Sequence, residues 1–199
     1  QAHDIISSPT TRKAFDLSLE KTSESTRFGR HEFGQSLLLA SRLIEAGVHF
    51  VTVRLRPAEF DFDTHLDNFS KLSALLPPFD KGLASLIDRL KERGLFRSTA
   101  IMVAGEFGRT PKINGQGGRD HWARAMFALM AGGDVEGGQV IGETDDRAGA
   151  PVGKGYSPDD LAASFFQNIG INSKHESQTN IGRPINLVRD GKPISQLFS

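Results

Sequence analysis

The chain has 199 residues, 38% of them hydrophobic, with 24 Lys and Arg against 24 Asp and Glu. The zero formal charge disfavours a nucleic acid as partner, and the absence of Cys excludes a disulfide framework, a thiolate zinc site and a thiol nucleophile within this chain. No apolar run approaches the roughly 20 residues that span a bilayer, so membrane insertion is not expected either. The length suits one sizeable core, and residues 1–199 are expected to form a single α/β domain. Residues 1–32 read as a polar lead-in rich in Ser and Thr that starts without Met. Such an opening suggests the C-terminal portion of a longer protein. Phe33, Leu37, Ala40 and Ile44 then fall on one helical stripe that ends at Gly47. The next segment, Val48 to Leu55, is β-branched and nearly continuously apolar, as in a strand covered on both faces. A second helix is expected with Phe79, Leu83, Leu86, Ile87 and Leu90 on one face, with Pro77 and Pro78 marking its start and Gly94 its end.

The run "STAIMVA", Ser98 to Ala104, is a second candidate strand, and "AMFALMAGG" after Trp122 a third. Helix, strand, helix, strand and strand in this order predict an α/β fold whose strands are mostly parallel and flanked by helices. A Gly-rich surface excursion is expected over residues 132–156. Ser157, Pro158 and Asp160 open a last helix that closes at Gly170, and the tail reads as a hairpin turned at Asp190-Gly191.

Chemistry concentrates where strands should end, which in open α/β sheets is where ligands bind. In "FDFDTH", Asp61, Asp63 and His65 are spaced by two, so an extended backbone would turn them to one side and Phe60 and Phe62 to the other. Two carboxylates and an imidazole on one face suit a divalent metal; a solvated loop, with Asp67 capping the next helix, fits the same residues. Glu106 stands between Gly105 and Gly108, just past "STAIMVA", and Asp120 and His121 follow the turn "NGQGG". Trp122 is placed to pack its ring beneath the His121 imidazole. Loops after neighbouring parallel strands meet at one sheet edge, which would gather Asp63, His65, Glu106, Asp120 and His121. Arg109 and Arg119 on the same loop could bind a phosphate or sulfate group, or pair with Glu106 and Asp120 instead. His3, His31, His49 and His175 are not assigned to the site.

The segments "EFDFDTHLDNF", "LLPPFDKGLASLIDRLKERGL", "GEFGRTPKIN", "GRDHW" and "AGGDVEGGQVIGETD" together resemble the domain of unknown function family 1501, a branch of the alkaline-phosphatase and sulfatase-like superfamily. The resemblance covers nearly the whole chain. It implies the C-terminal part of an alkaline-phosphatase-like fold, with divalent metal (zinc, manganese or calcium) held by Asp63, His65, Glu106 and His121. Arg109, Arg119 and Asp120 would bind an anionic ester. Two positions depart from the pattern: Glu106-Phe107 stands where many relatives carry Asp-His, and Phe62 where Trp is usual before "DTH". The superfamily's first metal-binding Asp and its nucleophile belong to an N-terminal half with no counterpart here, and neither Thr64 nor Thr110 corresponds to that nucleophile. The resemblance therefore implies the C-terminal portion of a metal-dependent hydrolase of phosphate or sulfate esters, exported or periplasmic. The alternative is a non-catalytic metal-binding or structural domain of the same fold.

Overall fold

The stripe at Phe33, Leu37 and Ala40 forms the buried side of a helix, Glu32–Glu45, in the computed structural model of the chain, which describes residues 8–54, 61–153 and 155–198. Two shorter helices precede it, α1 (Pro9–Phe15) and α2 (Thr22–Phe28), with a 3-10 turn at Leu17–Leu19 between them. Glu32–Glu45 is thus α3, and α4 runs over Asn68–Glu92. The segment read as a polar lead-in is therefore helical over much of its described length: α1 packs on α3, and α2 packs on α3 and α4. Its Ser and Thr residues lie mostly on outward faces, while Thr11, Ala14 and Phe28 are buried.

Pro77 and Pro78 lie inside α4 and do not start it. Mid-helix proline removes backbone hydrogen bonds and costs about 3 kcal/mol or more, yet the helix continues because its buried side is continuous across the break. Leu75 before the prolines and Gly82, Leu86 and Leu90 after them keep helical spacing against α3. Phe28, Leu38 and Leu90 are at most 1% exposed, and burying each contributes roughly 1.5–3 kcal/mol. Tertiary packing outweighs the local breaker.

At the centre of this helical group sits Arg89, 1% exposed. All five of its N–H donors are used: Nε donates to Glu45 at 2.7 Å, one terminal nitrogen to Glu20 and Glu24 at 3.1 Å each, and the other to Glu20 at 3.0 Å and Glu45 at 3.3 Å. Burial works against the charged guanidinium, but the hydrogen bonds to Glu45 and Glu20 outweigh it and hold the Arg89 pKa above that of an ordinary arginine. Glu20 also takes a hydrogen bond from Arg42, which donates at 2.7 Å to the Ala14 and Lys13 carbonyls at the end of α1. Two arginines thus fasten α1 and α2 to α3 and α4.

Further along, the strands are short: β1 (Ile101–Ala104), β2 (Gly108–Arg109), β3 (His121–Trp122), β4 (Ala128–Ala131), β5 (Glu176–Gln178) and β6 (Pro184–Asn186). Helix α5 spans Pro158–Asn168. The described strands pair two by two, β1 with β4, β2 with β3 and β5 with β6, all antiparallel. The helix-and-strand order suggested parallel pairing; no parallel pair occurs among the described residues. Residues 48–54 carry no strand, and Leu55 lies outside the described residues, as do Phe60 and His3. The tail hairpin is made by β5 and β6, turning at Thr179 to Arg183, and not at Asp190-Gly191. Gly191 instead lies against the first turn of α5, where a Cβ would come within 1.9 Å of the Asp159 carbonyl.

Expected as one domain, the chain divides into two compact units, one of Gln1–Leu95 with Ile113–Arg119 and the other of Phe96–Lys112 with Asp120–Ser199. The first is the helical group. In the second, α5 starts with a capping box in which Ser157 and Asp160 each bond the other's backbone N–H. Its Ser164 hydroxyl accepts from the Ile194 N–H at 2.8 Å and so holds the C-terminal tail. Helices α3, α4 and α5 all end in the same six-residue motif, with Gly47, Gly94 and Gly170 at positive φ and the following N–H bonded five residues back.

Candidate metal centre

In the first unit, residues 61–66 form a loop held at both ends. Phe62 packs edge-on against Phe33 and Phe79, with ring centroids 6.1 and 6.4 Å away. Thr64, 1% exposed, donates its hydroxyl to the Asn68 side chain at 2.6 Å. Between these anchors the backbone makes two successive tight turns, Thr64 N–H to Phe62 and His65 N–H to Asp63, where an extended strand was expected. Asp61 does not join its neighbours on one strand face; its carboxylate accepts the Asp63 N–H at 2.8 Å and shapes the turn. Asp63 and His65 do come together, with Oδ1 of Asp63 3.0 Å from Nε2 of His65. The carboxylate is exposed and the imidazole half-buried.

The loop 113–119 fixes this segment from the other side. Asn114 donates its side-chain N–H to the His65 carbonyl at 2.9 Å, while its side-chain oxygen accepts the N–H groups of Gln116 and Gly118. Gly117 bridges to Leu66, and Arg119 N–H donates to the Thr64 carbonyl at 2.9 Å. At Gly118 the two backbones touch so closely that a Cβ would fall 1.9 Å from the His65 carbonyl oxygen. The first N–H groups of α4 find their acceptors here too: Asp67 and Asn68 donate to the Gln116 and Gly117 carbonyls. Asp67 stands at the N-cap with φ 54° and caps nothing with its side chain. The capping role read for Asp67 is thus filled by carbonyls of a distant loop.

In the second unit, Glu106 is exposed in the turn between β1 and β2. Arg109 pairs with His121 in register, and Gly108 with Trp122. Thr110 N–H donates to the Asp120 carbonyl at 2.9 Å, and the Asp120 N–H donates to the Thr110 hydroxyl at 3.1 Å. The ring that packs on His121 is Phe107, at 4.2 Å between centroids, and not Trp122. Strand alternation explains the difference, since His121 and Trp122 are neighbours on one strand and leave it on opposite sides. Trp122 instead donates its indole N–H to the Gly149 carbonyl at 2.8 Å. The Arg109 guanidinium lies 5.8 Å from the Phe107 centroid and that of Arg124 5.9 Å from Trp122, both within cation–π range.

Of the predicted site residues, Asp63, His65 and Arg119 therefore belong to one unit, and Glu106, Arg109, Asp120 and His121 to the other. His31 is the N-cap of α3, accepting the Gly34 N–H at 3.1 Å, and His49 is exposed and outside any strand. Sequence reading missed the organising role of Asn114, although an Asn-Gly pair inside a Gly-rich turn signals side-chain-to-backbone bonding. It also missed Phe107 as the ring against His121, for which the sequence carries no signal.

Asp63 and His65 set a carboxylate oxygen and an imidazole nitrogen side by side on an ordered loop, donor types that suit a divalent ion. The family model described as "Protein of unknown function (DUF1501)" matches residues 1–198, and the chain belongs to that family. No curated protein and no solved structure matches the chain.

Proposed function

We propose that this chain is the C-terminal portion of a metal-dependent hydrolase of phosphate or sulfate esters, built on an alkaline-phosphatase-like fold. The observation that carries the reading is the Asp63–His65 pair, preorganised by the 113–119 loop. The donors fit the group: one carboxylate oxygen and one imidazole nitrogen, both reachable from solvent, without sulfur. His121 is the third donor. Glu106 completes the ligand set, and Asp120 orients the loop that carries His121.

Bound metal would supply Lewis acidity toward an ester oxygen. The residues of the chain do the rest. Asp63 and His65 would offer the metal an oxygen and a nitrogen that lie 3.0 Å apart, Phe107 limits rotation of the His121 ring, and Arg109 and Arg119 hold anionic oxygens of the ester with paired N–H donors. The nucleophile lies outside this chain. A second reading, a non-catalytic metal-binding or structural domain, is favoured by Phe107, which stands where the family resemblance implies a further imidazole and packs its ring against that of His121.

Equilibrium dialysis of the chain against zinc and against manganese, followed by elemental analysis, tests both. One equivalent of metal in the wild type, lost in both His65→Ala and His121→Ala, is the expected result. Metal content unchanged by both substitutions would overturn the site. Phosphatase and sulfatase assays on the longer native protein then separate the two readings, because metal without turnover selects the non-catalytic one.

A further inference from the structure

Residues 143–152 make a small closed loop with its own internal bonding. The Asp145 N–H donates to the Ala150 carbonyl at 3.0 Å, and its carbonyl accepts the Ala148 N–H at 2.9 Å. Its Oδ1 accepts the N–H groups of Gly149 at 2.6 Å and Arg147 at 3.2 Å. Four hydrogen bonds to a single residue leave the 145–150 turn little freedom, and Ala148 is held in the left-handed region at φ 54°. The hydrogen bond from Gly149, together with those from Arg147 and Ala150, holds the Asp145 carboxyl below the usual aspartate range. The Gly149 carbonyl accepts the Trp122 indole N–H at 2.8 Å.

Strand β3 is two residues long, so its pairing with β2 fixes little of its rotation about the strand axis. The indole provides what the ladder does not. Pinning Trp122 on one side of the strand sets the direction of His121 on the other.

We propose that Asp145 is a positioning residue for His121, acting through the Gly149 carbonyl and the Trp122 indole. The inference rests on the proposed role of His121 as a metal donor, but the two can fail separately. A ligand's orientation is commonly set by hydrogen bonds one layer out, and removing such a bond weakens metal binding by about 10–100-fold.

Trp122 is the sole tryptophan of the chain, so its emission reports this link without ambiguity. The experiment is a zinc titration of the 199-residue chain read by direct metal content and by Trp122 emission, with far-UV circular dichroism as the folding control. Asp145→Ala is expected to shift the metal-free emission to the red and to weaken zinc binding about 10-fold or more. Asp145→Asn keeps an oxygen acceptor and should restore both to near the wild-type values. Trp122→Phe, which leaves the turn intact, should weaken zinc binding as much as Asp145→Ala, and the double variant should be no weaker than either. Unchanged emission and affinity in Asp145→Ala, failure of Asp145→Asn to rescue, or full additivity in the double variant would each overturn the proposal. A wild-type chain that takes up neither zinc nor manganese would sink the metal site of the hydrolase reading instead, and the emission of the two Asp145 variants would still decide the link.

Discussion

The two units are held together by different means. In the first, ten of the thirteen apolar side chains buried among the described residues pack between helices, around an arginine whose every donor is engaged. In the second, only Ala163, Val188 and Ile194 are buried apolar residues among the described ones, while Phe127, Val140 and Ile181 are largely exposed. Its order comes from backbone bonds and polar side chains such as Asn168, which donates to Gly132 and accepts from Asp134. The helical unit owes its stability to a desolvated core, and the strand-and-loop unit owes its geometry to local hydrogen bonding. A mutation of comparable size should therefore lower global stability in the first and displace a loop in the second.

The largest effect is expected at Arg89. Replacing it with Ala leaves Glu20, Glu24 and Glu45 without their common partner and opens space beneath α3. Removing one side of a buried ionic group costs about 3–5 kcal/mol, so Arg89→Ala should lose its helical circular dichroism at markedly lower urea than the wild type. Trp122 lies in the other unit and gives a second reading from the same sample. A helical transition that does not move would break the contrast, because it would mean that the charge cluster contributes little to the core.

Next in size is Gly118→Ala. The added Cβ would meet the His65 carbonyl oxygen at 1.9 Å, and backbone cannot give way as a flexible side chain does. Forced separation of this kind costs about 1–3 kcal/mol and should also lower metal uptake, since Asn114 could no longer reach His65. Gly115, three residues earlier in the same loop, has no neighbouring atom within 4 Å of where a Cβ would stand. Gly115→Ala is the matched control and should change stability by less than about 0.5 kcal/mol. Equal behaviour of the two variants in urea titration and metal uptake would show that the loop does not hold the Asp63–His65 pair.

How much of this was legible follows from the range of the forces involved. The stripe at Phe33, Leu37 and Ala40, the capping box at Ser157 and Asp160, and the helix-ending glycines at 47, 94 and 170 are local signals, and the structure carries each of them. Pro77 and Pro78 misled because a local breaker was weighed without the long-range contact between α3 and α4 that overrides it. Residues 48–54 misled because β-branched composition describes a surface that can pair, without supplying the partner strand. The pairing of Asp63 with His65 was readable from their spacing, but for the wrong reason: tight turns bring them together, not an extended strand. Arg89 could not be identified from sequence, since its three carboxylates come from positions 20, 24 and 45 and nothing local distinguishes it from Arg93.

The smallest expected effect tests the electrostatics of the comparison through pH. Hydrogen bonding from Arg89, aided by Arg42 and opposed by burial, holds the Glu20 carboxyl below its ordinary value. A depressed carboxyl stabilises the folded state fully above its unfolded pKa of about 4.3, and that contribution disappears as pH falls through the lower folded value. The arginines keep their charge throughout, so acid removes the carboxylate and leaves Arg89 buried with fewer acceptors. Thermal unfolding followed by helical circular dichroism should therefore show stability falling below roughly pH 4. In Glu20→Gln, stability at neutral pH should be lower and the acid slope shallower, because one titrating group is gone. Asp145 is also depressed, by the Gly149 N–H, but it lies in the strand-and-loop unit, so the acid dependence of Trp122 emission should be the same with and without Glu20→Gln. An acid profile of the helical signal that Glu20→Gln leaves unaltered would remove Glu20 from the interactions that hold α1 and α2 in place, and the fastening would then rest on the Arg42 bonds to the Lys13 and Ala14 carbonyls for α1 and on bonds such as Arg89 to Glu24 for α2.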